Sequence, residues 1–431
     1  MDIILRAARK LIPNGIFETF QPAYHYTWAV YSAMRYRYPS RHINVIAITG
    51  TKGKSSTTEI VNAILEGAGK KTAVAGTIRF KVGDKSWSNN YKMSVPGRGF
   101  IQKFLRQAVD AGCEYAVLEM TSGAVLQYRH RFIDFDSLIF LNISPEHIEQ
   151  HGSFENYLAA KLELAKALEQ SKKTRKIIIA NKDDAEHHKF LDIDVPEKYT
   201  FGLKDAEPYQ LDQFGLYMTY KGRNMRTHLQ GTFNISNILA ALTYASTQEI
   251  SPETAQKGLH NLTGILGRVQ KITLPEDHAH AAKQKFNVVV DYAHTVDSLQ
   301  KVYTVFKDSR KICVIGNTGG GRDTWKRPEM ARVANEHCSH IILTNEDPYD
   351  EDPQAIVDQM IPGISSTPFE IIMDRREAIH KAISLAHKGD SVIITGKGTD
   401  PYIMEANGKK TKWSDAKVAQ EELEKVLMER I

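Results

Sequence analysis

Cysteine is scarce. Only Cys113, Cys313 and Cys338 occur in 431 residues, far apart and in no metal-ligand spacing. That excludes a zinc ribbon or a disulfide-rich scaffold. The apolar runs beside Cys113 and Cys313 predict reduced core residues, as in a cytoplasmic protein. Long apolar runs are missing too. No stretch is long enough to cross a bilayer, and residues 1–6 lack the apolar segment of a secretion signal, so neither export nor membrane insertion is expected. Internal repeats and low-complexity tracts are absent. Strong charge of one sign is lacking: 56 Lys and Arg against 51 Asp and Glu leave a mild, spread-out +5. Such a balance suits an anionic small substrate and carries no nucleic-acid signature. What is present is ordinary globular composition, 42% hydrophobic and 25% charged. The length exceeds one ordinary core, so two or three domains are expected.

The most informative stretch is Thr49-Gly50-Thr51-Lys52-Gly53-Lys54-Ser55-Ser56-Thr57. Ile43-Asn44-Val45-Ile46-Ala47-Ile48 precedes it and reads as a buried strand; apolar residues at helical spacing follow through Leu65. Strand, glycine-rich turn and helix make a phosphate loop, two residues shorter than the usual spacing. Gly50 and Gly53 let backbone amides approach phosphate, and a helix N-terminus favours negative charge. Lys54 can reach the β/γ-phosphates of ATP and Ser55 can ligate Mg²⁺.

In chain order, residues 1–42 form a short N-terminal segment rich in aromatics (Tyr24, Tyr26, Trp28, Tyr31, Tyr36, Tyr38) with Arg35, Arg37 and Arg41 among them. Residues 24–38 read as a helix with an aromatic face. That face either packs on the next domain or stacks a base or sugar and pairs with phosphate. Residues 43–265 alternate strands (43–48, 72–76, 115–119, 137–142, 176–180) with helices (57–68, 98–111, 154–170). This is the rhythm of a parallel sheet. Short alternating runs in 198–232 predict a small antiparallel appendage, with a helix near 234–247 after it. Residues 266–431 begin a second alternation, with strands at 288–291, 311–315, 340–344, 369–373 and 390–395. The fold class is therefore α/β: a P-loop parallel-sheet central domain with a small β appendage, plus a Rossmann-like C-terminal domain.

Glu119 ends one predicted strand and His147 follows another, so both fall at the sheet edge that carries the phosphate loop. A carboxylate and an imidazole there would hold a second Mg²⁺ between the γ-phosphate and an attacking carboxylate. Further segments complete a series: Glu119-Met120-Thr121-Ser122, Gln127 with Arg129, and Asn142 through Lys161. Gly231-Thr232-Phe233-Asn234-Ile235-Ser236-Asn237, Gly267-Arg268, Asp291-Tyr292-Ala293-His294-Thr295 and Gly319-Gly320-Gly321-Arg322-Asp323 follow. Lys326-Arg327-Pro328 and Gly396-Lys397-Gly398 close it. Together these resemble the Mur ligases, nearest their MurE type, over residues 43–420. The resemblance implies an ATP-dependent carboxylate–amine ligase of peptidoglycan synthesis that works through an acyl phosphate. It implies Lys54 and Ser55 on the triphosphate and first Mg²⁺, and Glu119, His147 and a carbamylated Lys161 on the metals. Asn237 would meet adenine, Arg268 the γ-phosphate and Asp291 the ribose. Gly50, Thr51, Lys52, Gly53 and Ser56 would complete the ATP site. Ser94, Thr121, Gln127, Arg129, His294, Arg322, Asp347, Tyr349, Gly396 and Asp400 would face a muramoyl peptide and an amino acid.

The match departs from the family in four places. Thr121-Ser122-Gly123 lacks a family histidine. Ser94-Val95-Pro96 loses a hydroxyl. The family's D-N-P-R becomes Glu346-Asp347-Pro348-Tyr349. Only 48 residues precede Thr49, so the UDP-binding domain of the family is expected to be absent or reduced. Rival readings are a folylpolyglutamate-synthetase-like ligase, an amidotransferase partner with a four-cysteine zinc insert (too few cysteines here), and a non-catalytic nucleotide-binding protein. For the incoming amino acid, the neutral Tyr349 replaces the arginine that pairs with the distal carboxylate of diaminopimelate. Asp347, Asp350, Glu351 and Asp352 make the segment acidic. Gly396-Lys397-Gly398-Thr399-Asp400 resembles the form of lysine-adding relatives. L-lysine or another diamine is the expected substrate, unless Arg322 or Arg375 supplies the missing contact. Nothing in the sequence gives an oligomeric state.

Overall fold

β-branched runs of four to six residues, separated by helical segments, form two parallel sheets in two compact units. The computed structural model describes residues 14–97, 99–146, 151–212 and 215–430, with side chains from residue 20 onward. His147 lies outside the described residues.

The first unit opens with helix α1 (Asn14–Arg35), longer than the 24–38 expected and containing Pro22. Arg37 and Tyr38 at positive φ, followed by Pro39, end it. Then come β1 (Asn44–Thr49), α2 (Lys54–Gly67), β2 (Thr72–Ala75), β3 (Arg79–Val82), β4 (Lys85–Ser88) and α3 (Phe100–Asp110). β5 (Tyr115–Glu119), α4 (Ser122–Leu126), β6 (Ser137–Phe140), α5 (Phe154–Glu169), β7 (Ile177–Asn181) and β8 (Glu197–Phe201) complete the sheet. Strand order is β4-β3-β2-β5-β1-β6-β7-β8. The strands from β2 to β8 in that order run parallel; β3 and β4 turn back as an antiparallel hairpin. β1, β5, β6 and β7 are almost wholly buried, which is why they read as continuous apolar runs without alternation. The hairpin was not foreseen. β4 is exposed along its length, an edge strand whose one apolar side chain, Trp87, meets the Phe80 ring of β3.

Two more helices follow in the chain. α6 (Phe233–Thr247) follows the small three-stranded sheet of β9 (Tyr209–Asp212), β10 (Gly215–Tyr220) and β11 (Arg223–Thr227), the expected appendage. α7 (Pro252–Asn261) lies on α2, with Gly67 against Gly258. A Cβ on Gly258 would come within 2.4 Å of the Ala63 carbonyl, so the two backbones touch.

The second unit takes in most of the small three-stranded sheet (residues 208–218 and 224–235) and carries β12 (Gln270–Lys271), β13 (Asn287–Asp291), α8 (Val296–Val305), β14 (Lys311–Ile315), α9 (Lys326–His337) and β15 (His340–Leu343). β16 (Phe369–Ile371), α10 (Arg375–Ser384), β17 (Ser391–Thr395), the hairpin β18 (Tyr402–Met404) and β19 (Lys410–Lys412), and α11 (Asp415–Glu429) follow. The order is β12-β13-β17-β14-β15-β16, parallel from β13 onward. α10 and α11 pack on one face through Ala378, Ile379, Val418 and Leu423. α8 and α9 cover the other through Leu299, Val302, Met330 and Ala331. A parallel sheet with helices on both faces is the doubly wound arrangement expected. Cys313 and Cys338 are joined in a disulfide, with Cα atoms 6.2 Å apart. This corrects the expectation that Cys313 is reduced. The two residues are distant in sequence, but β14 and the end of α9 bring them together. Cys113 is a buried free thiol, as expected.

Candidate active site

In the first unit the strand order puts β1 between β5 and β6, with Ile48 opposite Glu119 and Thr49 opposite Phe140. The loop after β1 and the end of β5 therefore meet at one edge. Gly53 has φ +84°, and a Cβ there would strike the Asn237 side chain, 2.3 Å from Oδ1. The turn thus needs glycine both for its conformation and for the approach of α6. Asn142 braces the loop from the next strand: its carbonyl accepts from the Thr51 amide (2.9 Å), and its side chain accepts from the Lys52 amide (2.9 Å). Thr57 Oγ1 donates to Asn237 Oδ1 (3.3 Å). Ser56 is buried in the first turn of α2.

Two lysines converge on this loop. Lys54 Nζ donates to the carbonyls of Gly50 (2.9 Å) and Thr51 (2.8 Å), and Lys161 Nζ donates to the same Gly50 carbonyl (2.9 Å). Lys161 is 1% exposed. Burial, reinforced by the nearby Lys54 ammonium, holds its pKa well below the ordinary lysine range. Tyr157, one turn earlier on α5, places its ring 4.6 Å from Lys161 Nζ and its hydroxyl 3.1 Å from Thr51 Oγ1. The i, i+4 spacing of Tyr157 and Lys161 was the available signal for this pairing.

Glu119 is 2% exposed and is held from two sides. Ser55 Oγ lies 3.1 Å from each carboxylate oxygen; the Thr77 amide (2.7 Å) and hydroxyl (2.9 Å) donate from the other side. Thr77 continues to Ser94 Oγ at 2.6 Å. Sequence reasoning missed Thr77, which sits after β2 with no motif around it. His151 Nε2, another residue not singled out, meets Ser122 Oγ at 3.0 Å. Thr121 caps α4 through the Ala124 amide. Arg129 donates to the Val95 carbonyl and to Gln127 Oε1, and burial lowers its pKa to about 10. The expected residues Lys54, Ser55, Ser94, Glu119, Asn237 and Lys161 thus gather around the phosphate loop. Among the described residues no group of three His, Cys, Asp or Glu forms a metal cluster. A metal at Ser55 and Glu119 would draw a further ligand from Lys161 only once the amine has become an anionic group.

The second unit gathers its own set. Arg268 Nη1 donates to the Gly267 carbonyl (2.9 Å), and its guanidinium lies 4.7 Å from the Tyr292 ring centre. Asp291 accepts from the amides of Val269 (2.6 Å) and Ala293 (2.7 Å); its carboxylate ties the Arg268 loop to β13. His294 Nδ1 is 2.7 Å from the Tyr292 carbonyl. Lys397 is fully buried, 2.7 Å from Asp347 and 3.5 Å from Asp400. Gly396, at φ +108°, leaves room for Glu346, whose Oε2 would lie 2.3 Å from a Cβ. Glu346 Oε1 accepts from Thr318 (2.7 Å), while Oε2 is buried with no hydrogen-bond partner among the described residues. Burial raises its pKa. Tyr349 adopts φ +53° and packs against Gly320.

Two alternatives for the missing arginine fare differently. Arg375 is 2% exposed and paired with Asp415 through two hydrogen bonds, 2.8 and 2.7 Å long. It is a structural residue of the second sheet. Arg322 is exposed. Arg327, buried, reaches Glu351 (2.8 Å), which in turn accepts from the Gly321 amide (3.1 Å). It steadies the glycine-rich turn.

Comparison with known proteins agrees with this geometry. The profile of the Mur ligase middle domain matches residues 48–245, and that of the Mur ligase glutamate ligase domain matches residues 278–398. A UDP-N-acetylmuramoyl-L-alanyl-D-glutamate–2,6-diaminopimelate ligase from Syntrophomonas wolfei is 35% identical, over 91% of this chain and 81% of its own length. A solved structure of an enzyme with that name superposes with a TM-score of 0.60 at 28% identity, covering 89% and 78% of the two chains. Mycobacterium tuberculosis folylpolyglutamate synthase, at 15% identity, shares the fold with a TM-score of 0.69, over 87% and 93%.

Proposed function

The chain belongs to the Mur ligase family and is an ATP-dependent ligase of peptidoglycan precursors, and we propose that it adds a diamino acid, L-lysine in the first instance, to a muramoyl-dipeptide-type acceptor in the cytoplasm. The observation that carries the reading is the pair Lys54 and Lys161 on one loop carbonyl, with Glu119 anchored beside Ser55. The residues suit ATP and Mg²⁺. The Gly53 turn offers an amide cradle, and Ser55 with Glu119 is an oxygen donor set of the kind Mg²⁺ takes. Bound Mg²⁺ would offset charge on the transferring phosphoryl group.

The chain's own residues then act as follows. Lys54 leaves the Gly50 and Thr51 carbonyls for the β/γ-phosphates. Burial lowers the pKa of Lys161 and so favours the amine form that takes up CO₂ with loss of a proton; the carbamate would supply an anionic oxygen donor. His147 belongs to the same proposed metal set. In the second unit Arg268, fixed by Tyr292 and the Asp291-braced loop, is assigned to the γ-phosphate. The acceptor carboxylate attacks the γ-phosphorus, the bond to the β,γ-bridging oxygen breaks, and ADP leaves as the acyl phosphate forms. The incoming amine then displaces phosphate and loses its proton.

Glu346 supports a diamine, whereas Asp347 and Asp400 already face the buried Lys397 ammonium. An unpartnered buried carboxylate oxygen suits an ammonium, and would repel the distal carboxylate of diaminopimelate. A diaminopimelate reading is kept because relatives carry that name. The test is acceptor-dependent phosphate release with L-lysine, L-ornithine and meso-diaminopimelate in parallel, for the natural chain and for Lys161→Ala. Preference for L-lysine and a loss of roughly 10²-fold or more in kcat for Lys161→Ala are expected. A clear preference for diaminopimelate overturns the charge argument, and full activity of the variant overturns the carbamate.

A further inference from the structure

α1 carries a solvent-facing stripe that the ligase site does not use. Phe20, Tyr24, Thr27, Tyr31 and Met34 recur at i, i+4, i+7, i+11 and i+14, so they share one face. All five are exposed, Phe20 by 66%, Tyr31 by 56% and Met34 by 62%. The stripe is fixed outward. On the opposite side Ser32 and Ala33 are buried, and Ser32 abuts Gly99, where a Cβ would approach it to 2.6 Å. Tyr26 packs on Tyr128 and Phe132, with ring centres 5.9 and 5.6 Å apart. The helix therefore has its protein-facing side occupied and still shows large apolar groups to water.

Charge indicates what covers it. Residues 1–42 hold six Lys and Arg against two Asp and Glu, a net +4 of the chain's +5. The balance that reads as spread out is thus concentrated here. Within α1 itself only Glu18 and Arg35 are charged at neutral pH. Arg35 and Arg37 are exposed and make no salt bridge among the described residues; Arg41 is shared with Asp134 at 3.0 Å. We propose that α1 lies on an anionic lipid surface, with the Phe20, Tyr24, Tyr31 and Met34 side chains in the headgroup–acyl boundary and Arg35 and Arg37 at the headgroups. Tyrosine suits that depth because its ring is apolar and its hydroxyl is wet. Basic residues flanking an apolar face give attraction to anionic lipid that neither element supplies alone. No helix among the described residues is long and apolar enough to cross a membrane, so the contact is peripheral. A parallel pairing of two copies through this face would bring Arg35 and Arg37 of both together, which disfavours that arrangement.

The experiment is sedimentation of the full chain with vesicles of phosphatidylcholine alone and of phosphatidylcholine mixed with phosphatidylglycerol, at low and high salt. Two variants accompany it: Phe20→Ser/Tyr24→Ser/Tyr31→Ser/Met34→Ser, and Arg35→Gln/Arg37→Gln. Thermal unfolding checks that both fold. Binding to mixed vesicles, weakened by salt and reduced roughly tenfold or more in each variant, is expected. No vesicle binding by the natural chain, or full binding by the stripe variant, overturns the proposal. A dimer lost in the stripe variant without any vesicle binding assigns the face to a second copy and also overturns it. Acceptor-dependent phosphate release is read separately, so failure here leaves the ligase reading standing.

Discussion

His130 shows how a single buried group sets pH dependence. It is 2% exposed and neither ring nitrogen has a hydrogen-bond partner among the described residues. Burial, with Arg131 nearby, pushes its pKa down to about 4. In the unfolded chain it titrates near 6.5, so between about 6.5 and 4 the unfolded state binds a proton that the folded state refuses. Stability therefore falls as pH drops through that window, by about 3 kcal/mol in all from this residue, and is unaffected by it above 6.5. His130→Leu is expected to flatten the acid limb of Tm against pH, measured by calorimetry. An unchanged limb would assign acid sensitivity to the carboxylates instead. At the same scale, Arg375 was a candidate substrate ligand only while Asp415 was out of sight.

At the scale of elements, the phosphate loop depends on how α2 is seated. Its seat is the Gly67–Gly258 crossing with α7, where backbone meets backbone. A side chain on Gly258 has no flexible neighbour to displace, since the nearest atoms are the Ala63 carbonyl and the Ile64 Cα. Gly258→Val should part the helices and cost about 1–3 kcal/mol. Because α2 begins at Lys54, the same change should weaken ATP binding, read by nucleotide titration beside thermal melting. A melting change with unaltered nucleotide affinity would show that the loop is seated by Asn142 and Asn237 alone.

Across the whole molecule, the disulfide gives a chemical handle on the second unit. Cys313 and Cys338 are both buried and close a loop of sequence separation 25. Denatured without reductant, the protein should show one reactive thiol, Cys113, and three after reduction. Reduction should cost this unit on the order of 3 kcal/mol of stability, read as a lower Tm. Three reactive thiols without reductant would restore the reduced state expected from the sequence. Much of the architecture was legible in the chain. Strands at 44–49, 115–119, 137–140 and 311–315 are apolar runs because both sheet faces are buried, and the phosphate loop is a local motif whose glycines have local work to do. The family match rested on the same ordered motifs. What the sequence could not carry is whatever depends on distance through space. The edge hairpin β3–β4 is the exception, since Phe80, Val82 and Trp87 alternate with polar residues about Gly83-Asp84. Thr77 is an ordinary threonine until the β2–β5 pairing sets it on Glu119. Lys161 and Lys54 share a carbonyl only because α5 crosses the loop, and burial there, not residue type, shifts the amine. Local composition determined the strands, the loop and the family. Tertiary packing decided which groups are desolvated, which are paired, and which apolar face is left in water.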